Sequence, residues 1–216
     1  MKYSKLILSA FLFFTATQAF SQISIGIKTA YVKAWEEYGE VGLPNDANIH
    51  FYSVKVSALI YKSISKFMEI GIEPGYVQRG AACEPGFIIF NQDTKLTLNY
   101  LELPIIAKFN VRSKNQKFGL YSKIGGSASM AISAYRDVME IPDLQPFSRT
   151  RLDLNDNDAL SKWDYGLYGG LGIEVGFGPG RFLMEGSYYY GIPNVDSFNR
   201  SQNRSIEISV GYLISF

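Results

Sequence analysis

The chain has 216 residues, one His, one Cys and a formal charge of +1. So even a balance leaves no electrostatic footprint for nucleic acid, and a lone Cys, Cys83, excludes an internally stapled disulfide domain. Aromatics at 15% and 20 glycines favour an all-β chain with tight curvature and interfacial rings.

Residues 1–21 carry the three parts of a signal peptide. Lys2 and Lys5 supply the positive start, residues 6–14 a short apolar run, and Ala19 and Ser21 the small residues before a cut at Gln22. The run is shorter than the roughly 20 residues that cross a bilayer. No Cys follows it, which speaks against a lipid anchor. Residues 22–216 are then expected to form one domain. Without Lys2 and Lys5 its formal charge is −1.

Eight strand-like runs follow, near 22–33, 49–62, 66–78, 95–111, 116–135, 163–177, 180–192 and 203–216. In the second, Val54, Val56, Ala58 and Ile60 oppose Ser53, Lys55 and Ser57. In the fourth, Leu101, Leu103, Ile105, Ala107 and Phe109 oppose Glu102, Pro104, Ile106 and Lys108. Leu96 and Leu98 keep the opposite parity, so a register slip with a bulge is expected near Tyr100. Pro104 cannot donate to a ladder and is expected at a bulge or bend facing the interior. In the sixth run Tyr165, Leu167, Leu171, Ile173, Val175 and Phe177 share one face, and Asp164, Gly166, Gly170, Gly172, Glu174 and Gly176 the other. The last run is the clearest. Ile206, Ile208, Val210, Tyr212, Ile214 and Phe216 alternate with Ser205, Glu207, Ser209, Gly211 and Ser215, and Leu213 is the one apolar exception.

The connections alternate long and short. The short ones fall near 63–65, 112–115 and Gly178-Pro179, the long ones near 34–48, 79–94, 136–162 and 193–202. Short periplasmic turns, longer outer loops and an even strand count describe a transmembrane barrel. The expected fold is all-β: a closed up-and-down antiparallel transmembrane β-barrel of about eight strands, in a bacterial outer membrane, with both termini periplasmic. A soluble lipocalin-like barrel is opposed by the greasy outward faces and by Phe216. Two aromatic girdles are expected: Tyr52, Tyr76, Tyr135, Trp163, Tyr188 and Tyr190 at the outer ends, and Tyr61, Phe67, Phe109, Phe118, Phe177, Phe182 and Phe216 at the inner ends.

The interior face collects Lys28, Lys55, Glu69, Glu73, Glu102, Lys108, Lys123, Glu174, Glu185 and Glu207. An eight-stranded barrel has room inside only for side chains, and unpaired buried charges cost several kcal/mol. These residues are therefore read as a polar network that plugs the lumen, with the excess acid met by water, hydroxyls or an Arg. A charged conduit is the alternative. The small residues Gly125, Ser127, Ser129, Ala131 and Ser133 leave some room there.

Chemical motifs are sparse. The run from Gly170 to Gly176 lacks the spacing and the helix of a dinucleotide fingerprint. His50 has Asp46 and Ser53 nearby, but Ser53 falls on the opposite face of the strand, and a triad needs hydrogen-bond reach. No catalytic residue and no cofactor is expected. Asp153, Asn155 and Asn157 resemble the start of a calcium loop, with Asp164 at the place of the bidentate acid, but Asp158 stands where that loop needs Gly. Cys83 reads as a spectator thiol.

Three segments, Tyr100 to Phe109, Asp164 to Glu174 and Asn203 to Tyr212, resemble the PorT-type family of outer-membrane β-barrel proteins. The first matches that family's tyrosine-leucine-glutamate-aliphatic-proline strand. The resemblance implies an integral outer-membrane barrel, spans about 22–216, and brings no catalytic motif. Some family members take part in protein secretion. The expected partners are outer-membrane lipid, envelope or secretion-apparatus proteins, and the barrel-assembly machinery through the strand ending at Phe216. Arg136, Arg149 and Arg151 are candidates to meet acidic lipid sugars. A small porin and a lipid-modifying enzyme are the competing functions.

Overall fold

The computed structural model describes residues 22–38, 48–49, 51–83, 92–113, 117–140, 148–154, 160–195 and 200–216. Among them are β1 (Ile23–Tyr38), β2 (Asn48–Ile49), β3 (Phe51–Ser65), β4 (Met68–Ile72), β5 (Gly75–Cys83), β6 (Gln92–Arg112), β7 (Phe118–Glu140), β8 (Ser148–Leu152), β9 (Trp163–Phe177), β10 (Gly180–Gly191) and β11 (Ser201–Ser215). All pairings are antiparallel. β1 pairs with both β3 and β11, and the ring runs on through β4 and β5 to β6, then β7, β9 and β10 back to β11. This is a closed barrel with eight strand positions, the third split into β4 and β5. β2 and β8 extend the wall beyond the ring at the long-loop end.

Alternation dictates the two faces. On β3 every second residue from Phe51 to Tyr61 is buried and those between are exposed. On β9 Tyr165, Leu167, Leu171 and Val175 point out, while Asp164, Tyr168 and Glu174 point in. Closure removes the open edges that a sheet otherwise leaves. Gly178, with φ of 58°, takes the left-handed conformation at the tight turn before Pro179.

Prolines and a bulge shape the wall. Pro104 pairs with Ser127 in unbroken register with β7, so it marks no bulge there. The interruption is on its other neighbour. β4 ends at Ile72 opposite Ile105, and β5 resumes at Gly75 opposite Glu102. The missing N–H of Pro104 thus faces the gap at Glu73-Pro74, where only Glu73 N–H donates to the Pro104 carbonyl, at 3.1 Å. The expected slip near Tyr100 is present in the β6–β7 register, but on the partner strand: Asn99 faces Ser133 and Tyr100 faces Ala131, leaving Ile132 extra on β7. β6 keeps its parity, with Leu98, Tyr100 and Glu102 all buried. What changes at Tyr100 is the chemistry of the interior, from apolar to charged. Beyond the bulge Ser133 leaves the inner face and accepts a hydrogen bond from Asn99 at 2.8 Å.

Candidate functional site

The interior is filled in layers. At the long-loop end Val32, Ala34, Phe51, Val77, Leu98, Ala131, Ala134 and Leu160 form an apolar core inside the ring. Below it lies the charged part, in three tiers.

In the uppermost tier Lys55 lies 2.6 Å from Glu102 and 3.1 Å from Glu207. Arg79 pairs with Glu102, approaches Asp164 at 4.0 Å and stacks over Tyr189 at 3.8 Å. The Tyr168 hydroxyl accepts from Lys55 and Arg79, both at 2.8 Å, and lies 2.9 Å from Glu207. In the middle tier Lys28 bridges Glu73 and Glu185 at 2.6 and 2.7 Å, and Lys123 bridges the same two at 3.5 and 2.6 Å. Tyr61 and Tyr121 donate to Glu73 and Glu185 respectively. In the lowest tier Glu69 and Glu174 meet Lys108, Arg112 and Arg181.

All ten residues singled out by alternation are buried inside this ring. Arg79, Arg112 and Arg181 lie outside that set, and Asp164, which alternation places on the inner face beside Glu174, joins it. With them, four Lys and three Arg face six Glu and one Asp among the described residues, so the excess of acid disappears. Charges taken out of water at this density persist only when each is paired and hydrogen-bonded. Tyr61 is a correction. It belongs to the lumen rather than a girdle, because its odd position on β3 turns it inward beside Glu73.

Glycines set the fit. A Cβ on Gly172 would lie 2.3 Å from the Tyr121 ring, and one on Gly166 2.3 Å from the Tyr189 ring. The rings of one strand thus occupy the space the neighbouring strand leaves empty. Gly170 and Gly172 of the Gly170 to Gly176 run serve packing.

The exterior is the reverse. Ile25, Ile27, Val54, Val56, Ile105, Leu167, Leu171, Met184 and Ile208 are exposed around the barrel. Rings band both ends of this surface. Tyr31 stacks on Tyr52 and Trp163 on Tyr165 at the long-loop end, and Phe177, Phe182 and Tyr212 cluster at the short-turn end. A contiguous apolar belt between aromatic bands matches a bilayer and not water. A family model described as outer membrane protein beta-barrel domain matches residues 20–197.

The chain belongs to this family.

Several solved structures are similar to the chain at low identity. Neisserial surface protein A is 15% identical with a TM-score of 0.48, over 90% of this chain and 97% of that one. Ail of Yersinia pestis, solved in complex with the heparin analogue sucrose octasulfate, is 13% identical with a TM-score of 0.40, over 90% and 99%. The N-terminal β-barrel domain of Pseudomonas aeruginosa OprF is 11% identical with a TM-score of 0.37, over 90% and 99%. No curated protein matches the chain.

The other candidates of this outer-membrane barrel dissolve or fall elsewhere. Ser53 turns inward and donates to the Gln78 carbonyl at 2.7 Å. His50, Asp46, Asn155 and Asn157 lie outside the described residues, as do residues 1–21 and the side chain of Cys83. Asp164 is not a loop acid: it sits in the lumen, 2.9 Å from the Asn203 amide. Among the described residues no group of His, Cys, Asp and Glu is arranged to hold a metal. Arg149 is tied to Asp137 at 3.3 Å and to the Tyr135 ring at 4.6 Å, whereas Arg136 and Arg151 are exposed.

Proposed function

We propose that this barrel is a closed membrane anchor with no catalysis of its own, which offers its long-loop end to a partner in a structural, partner-binding or secretion-associated role. The observation that carries this reading is the contrast between the two ends of one wall. The lumen is filled by the three charged tiers and the apolar core, which opposes a porin. At the same time β7 runs ten residues past Met130, the partner of Trp163 in the girdle, to Glu140. At a strand rise of about 3.3 Å per residue the wall of β6, β7 and β8 extends about 30 Å along the strand past the girdle. A rigid wall of this kind is a platform for contact residues. A lipid-modifying enzyme is opposed by the engagement of Ser53 within the wall.

The alternation of short turns and long loops supports an outward long-loop end and periplasmic termini. It leaves the strand ending at Phe216 to meet the assembly machinery. A photo-crosslinker at Thr150, exposed on β8, is expected to capture a defined envelope protein in living cells. The same group at Leu171, on the lipid face, is expected to capture none. Crosslinks to lipid alone at both positions would contradict a partner-binding role.

A further inference from the structure

The wall has a cleft where β7 changes partners. Met130 is the last β7 residue in register with β9, and Ala134 the first in register with β8. Between them sits the bulge at Ile132. The chain rejoins the ladder at Lys162, whose carbonyl accepts from Ala131 N–H at 2.8 Å. The result is an open cavity of about 530 Å³ lined by Met130, Ile132, Ser133, Arg151, Asp153 and Lys162.

Its orientation follows from register. Leu152 opposes Ala134 and packs on the inner core, so Arg151, opposite Tyr135, is turned outward. Arg151 and Lys162 are exposed and have no ion-pair partner among the described residues. With Asp153 as the carboxylate of the lining, the cleft keeps an excess of positive charge. Its lower edge is apolar and faces the bilayer: Ile132 is 43% exposed, and Trp163 and Tyr165, stacked at 6.4 Å, are 47% and 49% exposed. Aromatic rings of this kind sit at headgroup depth. Beside it lies a polar cluster of Tyr76, Gln78, Asn99 and Ser133, in which the Ser133 hydroxyl accepts from Asn99 and keeps its own proton to donate.

We propose that this cleft seats the phosphate-bearing sugar headgroup of a glycolipid of the surrounding leaflet. Arg151 and Lys162 hold the phosphate, Ser133 and its neighbours meet sugar hydroxyls, and the acyl chains descend over Ile132 and Met130. Two cations in the lining select an anion, the volume exceeds what a bare phosphate fills, and the apolar edge selects a tail. The proposal rests on the reading that the long-loop end faces outward.

The test is native mass spectrometry of the detergent-purified barrel titrated with a bis-phosphorylated diglucosamine lipid, with phosphatidylcholine and inorganic phosphate as comparators. The barrel is expected to retain one such lipid in preference to phosphatidylcholine. R151E/K162E is expected to weaken retention about tenfold or more, as loss of two charge-assisted contacts requires. R151Q/K162Q shifts it in the same direction, and K62E, at the short-turn end, leaves it unchanged. Equal retention of phosphatidylcholine, undiminished binding by the double variants, or full displacement by millimolar inorganic phosphate overturns the site. Orientation is read separately, from labelling of Ser148→Cys in a Cys83→Ser background with a membrane-impermeant maleimide on intact cells. A labelled cysteine without lipid retention sinks the site alone. A protected cysteine with lipid retention in vitro sinks the outward orientation alone.

Discussion

Lys28 shows what a single lumen residue does. It holds Glu73 and Glu185 at 2.6 and 2.7 Å, and without it Glu73 keeps the Tyr61 hydroxyl and, as its one cation, Lys123 at the longer 3.5 Å. Removing one partner of a buried ion pair leaves a charge that nothing replaces. Lys28→Met is therefore expected to lower unfolding free energy in urea by about 3 kcal/mol or more. A loss under about 1 kcal/mol would mean that water already solvates the tier. Glu102→Gln is expected to do the same, since Glu102 meets both Lys55 and Arg79. Gly172 is the steric counterpart. The Tyr121 ring is held by the Glu185 carboxylate at 2.8 Å and by Lys108 at 4.3 Å, so it has little freedom to retreat from a new methyl. Gly172→Ala should cost about 1–3 kcal/mol, and Tyr121→Leu in the same chain should recover part of it. An unchanged midpoint for Gly172→Ala would show that the ring moves aside.

At the scale of the element, β6 and β7 show why strand patterns are read more easily than their junctions. The clean alternation of β9 and β11 is legible because one face meets lipid and the other the lumen along the whole strand. On β6 the interior itself changes character. Leu96 and Leu98 face inward as Glu102 does, so hydrophobicity reverses while geometry does not. Sequence alone reads that as a slip. Pro104 misleads for a related reason, because the ladder break it requires is carried by Glu73-Pro74 on the next strand. Pro104→Ala restores a donor toward a gap, and its effect on stability is expected to stay within about 1 kcal/mol. The bulge at Ile132 makes a sharper prediction. Deleting Ile132 removes the extra residue and joins Ala131, opposite Tyr100, directly to Ser133, opposite Asn99, so every later β7 residue keeps its partner and its face. The expected outcome is a barrel whose β7 and β8 stay as protected from protease as in the unmodified chain. New cleavage within β7 or β8 would contradict the role given to the bulge.

For the whole molecule, long and short connections and alternating faces make the ring legible before any coordinate. The partners of its charges are not, because pairing across a closed ring joins residues far apart in the chain. Arg181 follows a Gly-Pro turn and reads as a rim residue. Arg79 lies beyond the break at Pro74, and Tyr61 looks like a girdle ring until register turns it inward. Once placed, these side chains bring the cations level with the carboxylates and leave the interior filled from the lowest tier to the apolar core. The proposed anchor is on this reading closed to ions. The most direct measurement is single-channel recording of the purified barrel in planar lipid bilayers. Insertion without discrete conductance steps is expected, and reproducible ohmic steps of uniform size from the unmodified chain would contradict a closed lumen.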